Sequence, residues 1–207
     1  MPEFAFQKPT IISRYPLDTK DAKWKRLVKT VYLDPLGRQR TWESAEMQTR
    51  PAGSPVDGVS IVAIIDKDTG PEILLQKQYR PALDKVTIEI PGGLIDPGET
   101  IEQCALRELK EETGYVGVVD RTSGILFNSP GFCNNNFNLV YVRVDLSLPE
   151  NQNPSPQLEE DELIECFTLP VKSLFSRSKT LQDEGYAIET RVVALAEGIE
   201  MARKWSL

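Results

Sequence analysis

Three glutamates at helical spacing are the side chains of this sequence best suited to chemistry. Glu108, Glu111 and Glu112 lie in the run from Arg107 to Gly114, and residues three and four apart share one face of an α-helix. Three like charges on one face repel each other, and a hard divalent cation such as Mg²⁺ removes that repulsion. The spacing therefore predicts a metal-binding face.

The helix that must carry these acids has its own start and stop signals. Thr100 followed by Gln103 is a capping-box pattern, and Asp96-Pro97-Gly98 just before it predicts a turn. Gly114 is typical of the residue that ends a helix. The ordinary explanation of such a helix is a solvated acidic surface with ion pairs one turn apart, so a metal site needs a more specific pattern.

The fixed positions around the glutamates supply that pattern. From Gly93 they run Gly, five residues, Glu, seven residues, Arg-Glu, two residues, Glu-Glu, one residue and Gly. This resembles the Nudix box, with Tyr115 in place of the aliphatic residue that usually follows. The resemblance implies that Glu108 and Glu112 are the principal metal ligands, that Glu111 assists them as a metal ligand and in catalysis, and that the carbonyl of Gly92 joins the cluster.

The same resemblance implies a cofactor and a reaction. The cofactor is Mg²⁺, with Mn²⁺ as the alternative, and the reaction is hydrolysis of a nucleoside diphosphate linked to another group. Such a site is chemically reasonable because metal ions neutralise diphosphate oxygens while a carboxylate takes a proton from the attacking water. Arg107 is implied to be structural, orienting the glutamates by ion pairing.

Composition excludes several other chemistries. The chain has no histidine, so neither a Ser-His or Cys-His nucleophile pair nor a His-ligated zinc site is available. Its three cysteines are widely spaced and form no CxxC pattern, which argues against a zinc site made of cysteines and against a disulfide framework. Acid–base chemistry falls mainly to carboxylates.

Charge and hydropathy indicate the type of partner and the cellular compartment. The net charge of −7 over 207 residues disfavours nucleic acid as a partner. No stretch approaches the roughly 18 apolar residues of a membrane helix, and the first residues lack the features of a signal peptide. Unpaired cysteines fit a reducing compartment. We expect a cytoplasmic protein without a membrane partner, the nucleus being the alternative location.

The order of elements predicts an α/β fold, a Nudix-type α/β/α sandwich with a mixed sheet. Residues 1–55 are expected to form an N-terminal β region for dimerisation and adenine binding, and residues 56–207 the Nudix domain. In the first region, Trp24 to Tyr32 and Arg38 to Met47 predict an antiparallel hairpin joined by the type I turn Asp34-Pro35-Leu36-Gly37. Further elements are predicted as strands at 59–65, 72–78, 86–90, 123–127, 139–146 and 163–168 and a final helix at 189–204.

Residues outside the box point to one branch of the family. Pro130 lies sixteen positions after Gly114, and a proline there resembles the ADP-ribose pyrophosphatases, although a Pro-Gly turn is common. Matches around Trp24, Trp42 and Lys77-Gln78-Tyr79-Arg80-Pro81 extend the likeness to eukaryotic ADP-ribose and ADP-sugar pyrophosphatases. The resemblance implies hydrolysis of ADP-ribose to AMP and ribose 5-phosphate, with other ADP-sugars as secondary substrates.

It also implies a set of substrate contacts within a homodimer. Trp24 and Trp42 would stack on the adenine, one from each subunit, instead of simply packing in the hairpin. Glu43 would read the adenine edge, and Arg80 would hold the diphosphate. The further substrate-binding candidates are Glu89 and Ser129. Met47 stands where relatives carry an arginine that helps to hold the ligand.

The catalytic base is predicted in the acidic run 159–162. Alignment with the pattern of the family places the base at Glu162, with Glu165 as the second candidate, although a solvated charge run is the plainer explanation. Two other functions stay open at this point. The chain is either a Nudix hydrolase for an oxidised nucleotide, a dinucleotide or a coenzyme, or a catalytically silent nucleotide sensor.

Overall fold

The polypeptide folds around one mixed β-sheet with helices on both faces. The structure, a computed structural model, describes residues 9–160 and 162–206. Its strands are β1 (Lys25–Leu33), β2 (Gln39–Met47), β3 (Gly58–Lys67), β4 (Gly70–Arg80), β5 (Lys85–Glu89), β6 (Val118–Phe127), β7 (Asn136–Val144), β8 (Ile164–Pro170) and β9 (Ala187–Ile188). Its α-helices are α1 (Ile101–Thr113), α2 (Leu174–Asp183) and α3 (Thr190–Trp205).

Strand β4 is the centre of the large sheet, which has the order β6-β7-β3-β4-β5-β9, with β8 also paired to β4. One edge of β4 pairs with β3 near its start and with β5 near its end, while β8 takes the other edge. The sheet therefore forks where β3 and β5 separate. The segment after β5 fills the fork, since Val59 N–H donates to Gly93 O and Ile61 N–H to Pro91 O.

Two hydrophobic clusters hold the helices on the two faces of the sheet. Helix α1 packs Cys104, Ala105 and Leu109 against β3 and β7. Helices α2 and α3 pack on the other face, where Leu174 and Val192 are fully buried. This confirms the predicted α/β/α sandwich with a mixed sheet, because β3–β7 and β5–β9 are parallel and the other pairs antiparallel.

The N-terminal hairpin is also confirmed. Its turn is fixed by Asp34, whose Oδ1 accepts from the N–H groups of Leu36 and Arg38, while Gly37 N–H donates to Asp34 O at 2.9 Å. Gly37 has φ 74°, which favours glycine. The hairpin contacts the rest of the chain through Ala45, whose N–H and C=O bond to Phe132 O and to Asn134 N–H.

A buried carboxylate joins the segment after the hairpin to the sheet. Asp57 is 1% exposed and accepts both Nε and Nη2 of Arg50 at 2.9 Å. The same carboxylate accepts from Asn136 N–H at 2.8 Å and from the Asn135 amide at 3.2 Å. Its backbone oxygen accepts from Ile95 N–H. One side chain thus holds the start of β3 and the start of β7 together.

Some elements differ from the expectations. Helix α2 was not predicted, because the apolar positions buried in it, Leu174 and Leu181, are too few to make a helical pattern stand out. Strand β6 begins at Val118, five residues earlier than expected. Strand β9 has only two residues and depends on pairing with β5. Among the described residues, no helix is long and apolar enough to span a membrane.

We predict that Asp57→Ala lowers the free energy of unfolding by about 3 kcal/mol, because it leaves buried donors without their acceptor and Arg50 without its partner. Urea unfolding followed by circular dichroism measures this. The control is Glu46→Ala, which breaks the more exposed Arg26–Glu46 pair and is expected to change stability by less than about 1 kcal/mol. Equal effects of the two variants would contradict the role given to Asp57.

Candidate active site

The acid-bearing helix α1 begins and ends where its sequence signals place it. Both hydrogen bonds of the capping box between Thr100 and Gln103 are present, and Gly114 ends the helix with φ 76°. Glu108 and Glu112 are buried and Glu111 is half-buried. The predicted arc of acids is therefore turned toward the sheet instead of toward solvent.

Arg107 organises the more exposed part of this arc. Its Nη1 lies 2.9 Å from Glu108 Oε1 and 3.0 Å from Glu111 Oε2, and its Nε lies 2.9 Å from Glu99 Oε1. A further bond from Nη2 reaches Leu94 O at 3.0 Å. Arg107 ties the helix to the loop before it and orients two glutamates.

Glu112 is held by uncharged donors. Gly92 N–H donates to its Oε2 at 2.8 Å, and the Nε2 of Gln76 donates to its Oε1 at 3.2 Å. Gln76 was missed by sequence reasoning, although a glutamine inside the apolar run of β4 was a signal that could have been used. Gly92 therefore lies against the cluster, and the contact that the structure records is made by its N–H and not by the carbonyl predicted to bind metal.

Burial and like charge make the two inner glutamates reluctant to ionise. Burial is the main reason that the pKa of Glu108 rises to about 7, against the opposing charge of Arg107. Burial likewise raises the pKa of Glu112 to about 8. The negative charge of Glu162, in the loop before β8, adds to both pKa shifts.

The donor chemistry of this cluster fits a hard divalent cation. The nearby side chains offer carboxylate oxygens, and a cation would relieve the unfavourable burial of two like charges. A Cβ on Gly93 would lie 2.3 Å from Glu108 Oε1, so any other residue there would displace the Glu108 carboxylate from its present position. In the described ranges, no three acidic or cysteine side chains converge closely enough to form a metal site.

A cleft of about 310 Å³ opens beside the cluster, at the fork of the sheet. Arg80 and Glu89 both line it and form a two-pronged ion pair, with N–O distances of 2.8 and 2.7 Å. Although burial disfavours the Glu89 carboxylate, the hydrogen bonds and charge of Arg80 hold the pKa of Glu89 below its ordinary value. The structure thus brings these two predicted substrate residues together, with the Arg80 side chain still 46% exposed.

A second arginine reaches the same cleft and was missed by sequence reasoning. Arg191, at the start of α3, pairs with Glu189 at 2.8 Å, contacts the hydroxyl of Ser60 and lies 4.8 Å from the ring centroid of Phe137. The sequence placed it in the final helix, and nothing in its spacing related that helix to the box. The cleft therefore carries two positive side chains.

The two candidates for the catalytic base lie in different places. Glu162 lines a large cavity of about 760 Å³ together with Arg80, and its Oε2 accepts from Glu159 N–H at 3.0 Å. Glu165 lies opposite Lys77 in the β4–β8 register, on the face that α2 and α3 cover, and its carboxylate is 2.7 Å from Lys77 Nζ. The structure does not bring Glu165 to the cluster. Asp161 lies outside the described residues.

The remaining predicted residues lie on the hairpin and on the loop that contacts it. Trp24 and Trp42 are 62% and 51% exposed, and Trp42 Nε1 donates to Gly131 O at 3.1 Å. Glu43 is exposed in β2, opposite Lys29. The Ser129 carbonyl accepts the N–H groups of Phe132 and Cys133. None of the described residues that line the cleft belongs to the hairpin.

Position 47, where the resemblance predicts an arginine, holds a methionine. Met47 is half-buried at the end of β2, and its N–H donates to Asn134 Oδ1 at 3.0 Å. Its thioether side chain offers no charge to a ligand, so any cationic contact comes from other residues. Arg50, three positions later, is bound to Asp57.

The sequence and the fold are similar to those of known proteins. A family model described as NUDIX domain matches residues 55–190. An ADP-ribose pyrophosphatase of Saccharomyces cerevisiae is 49% identical over 95% of this chain and 86% of that protein. An ADP-sugar pyrophosphatase of Mus musculus is 34% identical over 88% of this chain and 84% of that protein. A crystal structure of an ADP compounds hydrolase has a similar fold, with a TM-score of 0.59 and 20% identity over 97% of this chain and 95% of that one.

We predict that the metal-free protein loses stability as pH rises from about 5 to about 8. The folded pKa values of Glu108 and Glu112, about 7 and about 8, lie above the unfolded value of about 4.3, so the folded state binds more protons in this window. The free energy of unfolding is therefore highest below the unfolded pKa of about 4.3. It falls as pH rises through the folded pKa values of the two glutamates. The loss is on the order of 6 kcal/mol, measured by urea unfolding in EDTA.

Glu112→Gln should remove most of this pH dependence, whereas Glu102→Gln, on the exposed side of α1, should leave it unchanged. A divalent cation added at pH 8 should restore stability to the unsubstituted protein. The same pH slope in both variants would refute the assignment to Glu112.

Proposed function

The chain belongs to the NUDIX domain family, and we propose that it hydrolyses the diphosphate of ADP-ribose to AMP and ribose 5-phosphate. The observation that carries the proposal is the 49% identity, over 95% of the chain, to a protein named ADP-ribose pyrophosphatase. The relative named ADP-sugar pyrophosphatase supports ADP-sugars as further substrates. The two arginines of the cleft can donate to a diphosphate, and the buried glutamates nearby can hold the cation that neutralises its oxygens.

Each part of the site has a task in this proposal. Glu108, Glu112 and Gly92 would hold Mg²⁺, with Mn²⁺ as the alternative and Glu111 assisting. A bound divalent cation would neutralise the oxygens of the diphosphate. Arg80 is positioned to donate to the same phosphates, because its guanidinium is in the cleft and nearly half exposed. Glu89 keeps that guanidinium in place.

Glu162 is the proposed general base. It is close enough to Glu108 and Glu112 for its charge to affect both, and it lines the cavity that also contains Arg80. A carboxylate there would take the proton from the attacking water. The loop that carries it is tethered at one end to β8, while Gln157 N–H donates to Glu111 O at the other.

We further propose that two copies of the chain form a homodimer through the hairpin. The outward side chains of the hairpin include Leu27, Val31 and Leu33, which are 74%, 56% and 71% exposed. A two-stranded sheet with this much apolar surface needs a partner to cover it. Exposed Trp24 and Trp42 would then each contribute an aromatic face to adenine, with Glu43 at the edge of the base.

The direct test is incubation of the purified protein with ADP-ribose and Mg²⁺, with and without EDTA, followed by separation of the products. ADP-glucose and an oxidised nucleotide are tested in parallel. AMP and ribose 5-phosphate formed only with the cation support the proposal. Turnover of another substrate alone would contradict the assignment of ADP-ribose, and binding without turnover would favour a nucleotide sensor.

We predict that Glu162→Gln lowers kcat by about 10²-fold to 10⁴-fold and leaves KM nearly unchanged, because it removes the base but no substrate contact. Steady-state kinetics with ADP-ribose measure this. Glu160→Gln, an exposed neighbour in the same run, is the matched control and should keep the rate. A normal kcat for Glu162→Gln would refute the assignment of the base to Glu162 and would move the role to Glu160 in the same run.

We predict that Trp24→Ala raises KM for ADP-ribose about tenfold with little change in kcat, because stacking on a base contributes about 1–3 kcal/mol. The control is Trp205→Ala, since Trp205 is comparably exposed, at 66%, on the C-terminal helix. Sedimentation of the unsubstituted protein should give the mass of a dimer. A fully active monomer would refute the shared adenine site.

A further inference from the structure

Gln76 is a buried polar residue in the middle of the large sheet. Its side chain is on the α1 face of β4, while its neighbours Leu75 and Lys77 point to the other face. It is 1% exposed and lies opposite Glu89 of β5 and Cys166 of β8. An apolar residue would suit such a central position better, since burying an amide is unfavourable unless its groups are hydrogen-bonded.

The one recorded hydrogen bond of this amide is made to the most deeply buried acid of the site. Gln76 Nε2 donates to Glu112 Oε1 at 3.2 Å, and Gly92 N–H donates to the other oxygen, Oε2, at 2.8 Å. Together the two donors fix the plane of the Glu112 carboxylate. Groups that bond to a metal ligand in this way orient it and commonly change metal affinity by 10-fold to 100-fold when removed.

The carbonyl oxygen of the Gln76 amide is the second group relevant to the cation site. Gln76 Oε1 is buried and accepts a hydrogen bond from none of the described residues. A buried carbonyl oxygen ordinarily has a donor, and a divalent cation of the Mg²⁺ type keeps several waters, which are donors. The amide therefore has an acceptor available on the side of the molecule where the cation ligands are.

We propose that Gln76 is a positioning residue of the cation site, which orients Glu112 through its amide N–H and can accept a hydrogen bond from the hydrated cation through its carbonyl oxygen. The inference rests on the proposed function, because it takes Glu112 as a cation ligand. It adds a residue that lies outside the box and far from it in sequence. It also accounts for a glutamine at a position where packing alone would favour an apolar side chain.

The test is Gln76→Met, which keeps an unbranched side chain of similar length and removes both amide groups. Binding of Mn²⁺ in the absence of substrate is measured by electron paramagnetic resonance of the free ion. We expect the Kd for Mn²⁺ to rise at least about tenfold. The concentration of Mg²⁺ that gives half-maximal hydrolysis of ADP-ribose should rise to a similar extent, while KM for ADP-ribose at saturating Mg²⁺ should stay nearly constant.

The matched control is Leu75→Met in the same strand, which places the same new side chain on the opposite face. It should bind Mn²⁺ like the unsubstituted protein, so a general disturbance of β4 would show as weakened binding in both variants and would overturn the inference. Gln76→Leu repeats the test with a second apolar side chain if Gln76→Met unfolds. Thermal unfolding of each variant establishes that folded protein is compared.

The outcomes separate the two proposals. Wild-type affinity for Mn²⁺ in both Gln76 variants would overturn the role of Gln76 and leave the proposed function intact. Absence of Mn²⁺ binding by the unsubstituted protein would overturn the proposed function and this inference with it. Weakened binding only in the Gln76 variants would support the inference.

Discussion

The burial of two like-charged carboxylates is the constraint on which the rest of the structure depends. Glu108 and Glu112 are on the inner face of α1, where burial opposes their ionisation. A fold can keep such groups only if donors reach them and if neighbouring atoms leave room. Donors and room are supplied by four features, which are Gly92, Gly93, Arg107 and the fork of the sheet.

Different glutamates of the cluster receive different kinds of hydrogen-bond donor, a charged guanidinium in one case and neutral N–H groups in the other. Arg107 pairs with Glu108 and Glu111, and its guanidinium stays partly hydrated because the Arg107 side chain is 28% exposed. Glu112, deeper inside, receives neutral N–H groups. A neutral donor orients the Glu112 carboxyl without placing a fixed positive charge beside it, so no side-chain cation competes with a metal ion at the deepest point of the site. The Arg80–Glu89 pair leaves an exposed guanidinium on the substrate side.

Features fixed by local sequence could be predicted, and features fixed by strand pairing could not. The capping box of Thr100 and the turn at Asp34 act within a few residues, so both were recognised. The side of the sheet on which Glu165 lies depends on its register with Lys77, 88 positions earlier. Gln76 and Arg191 likewise join the site through the sheet and α3, and no short pattern connects them to the box. For α2, tertiary packing outweighs its weak apolar periodicity.

The parallel pairing of β3 with β7 has a consequence for the order of folding. Asp57 and Asn136, which join these strands at their start, are 79 positions apart, whereas α1 is built from contacts within a few residues. Local contacts form quickly, and closing a long loop is slow. We therefore expect α1 to be helical while its acids are still hydrated. Their desolvation is then a late event, coupled to the docking of the helix onto a finished sheet.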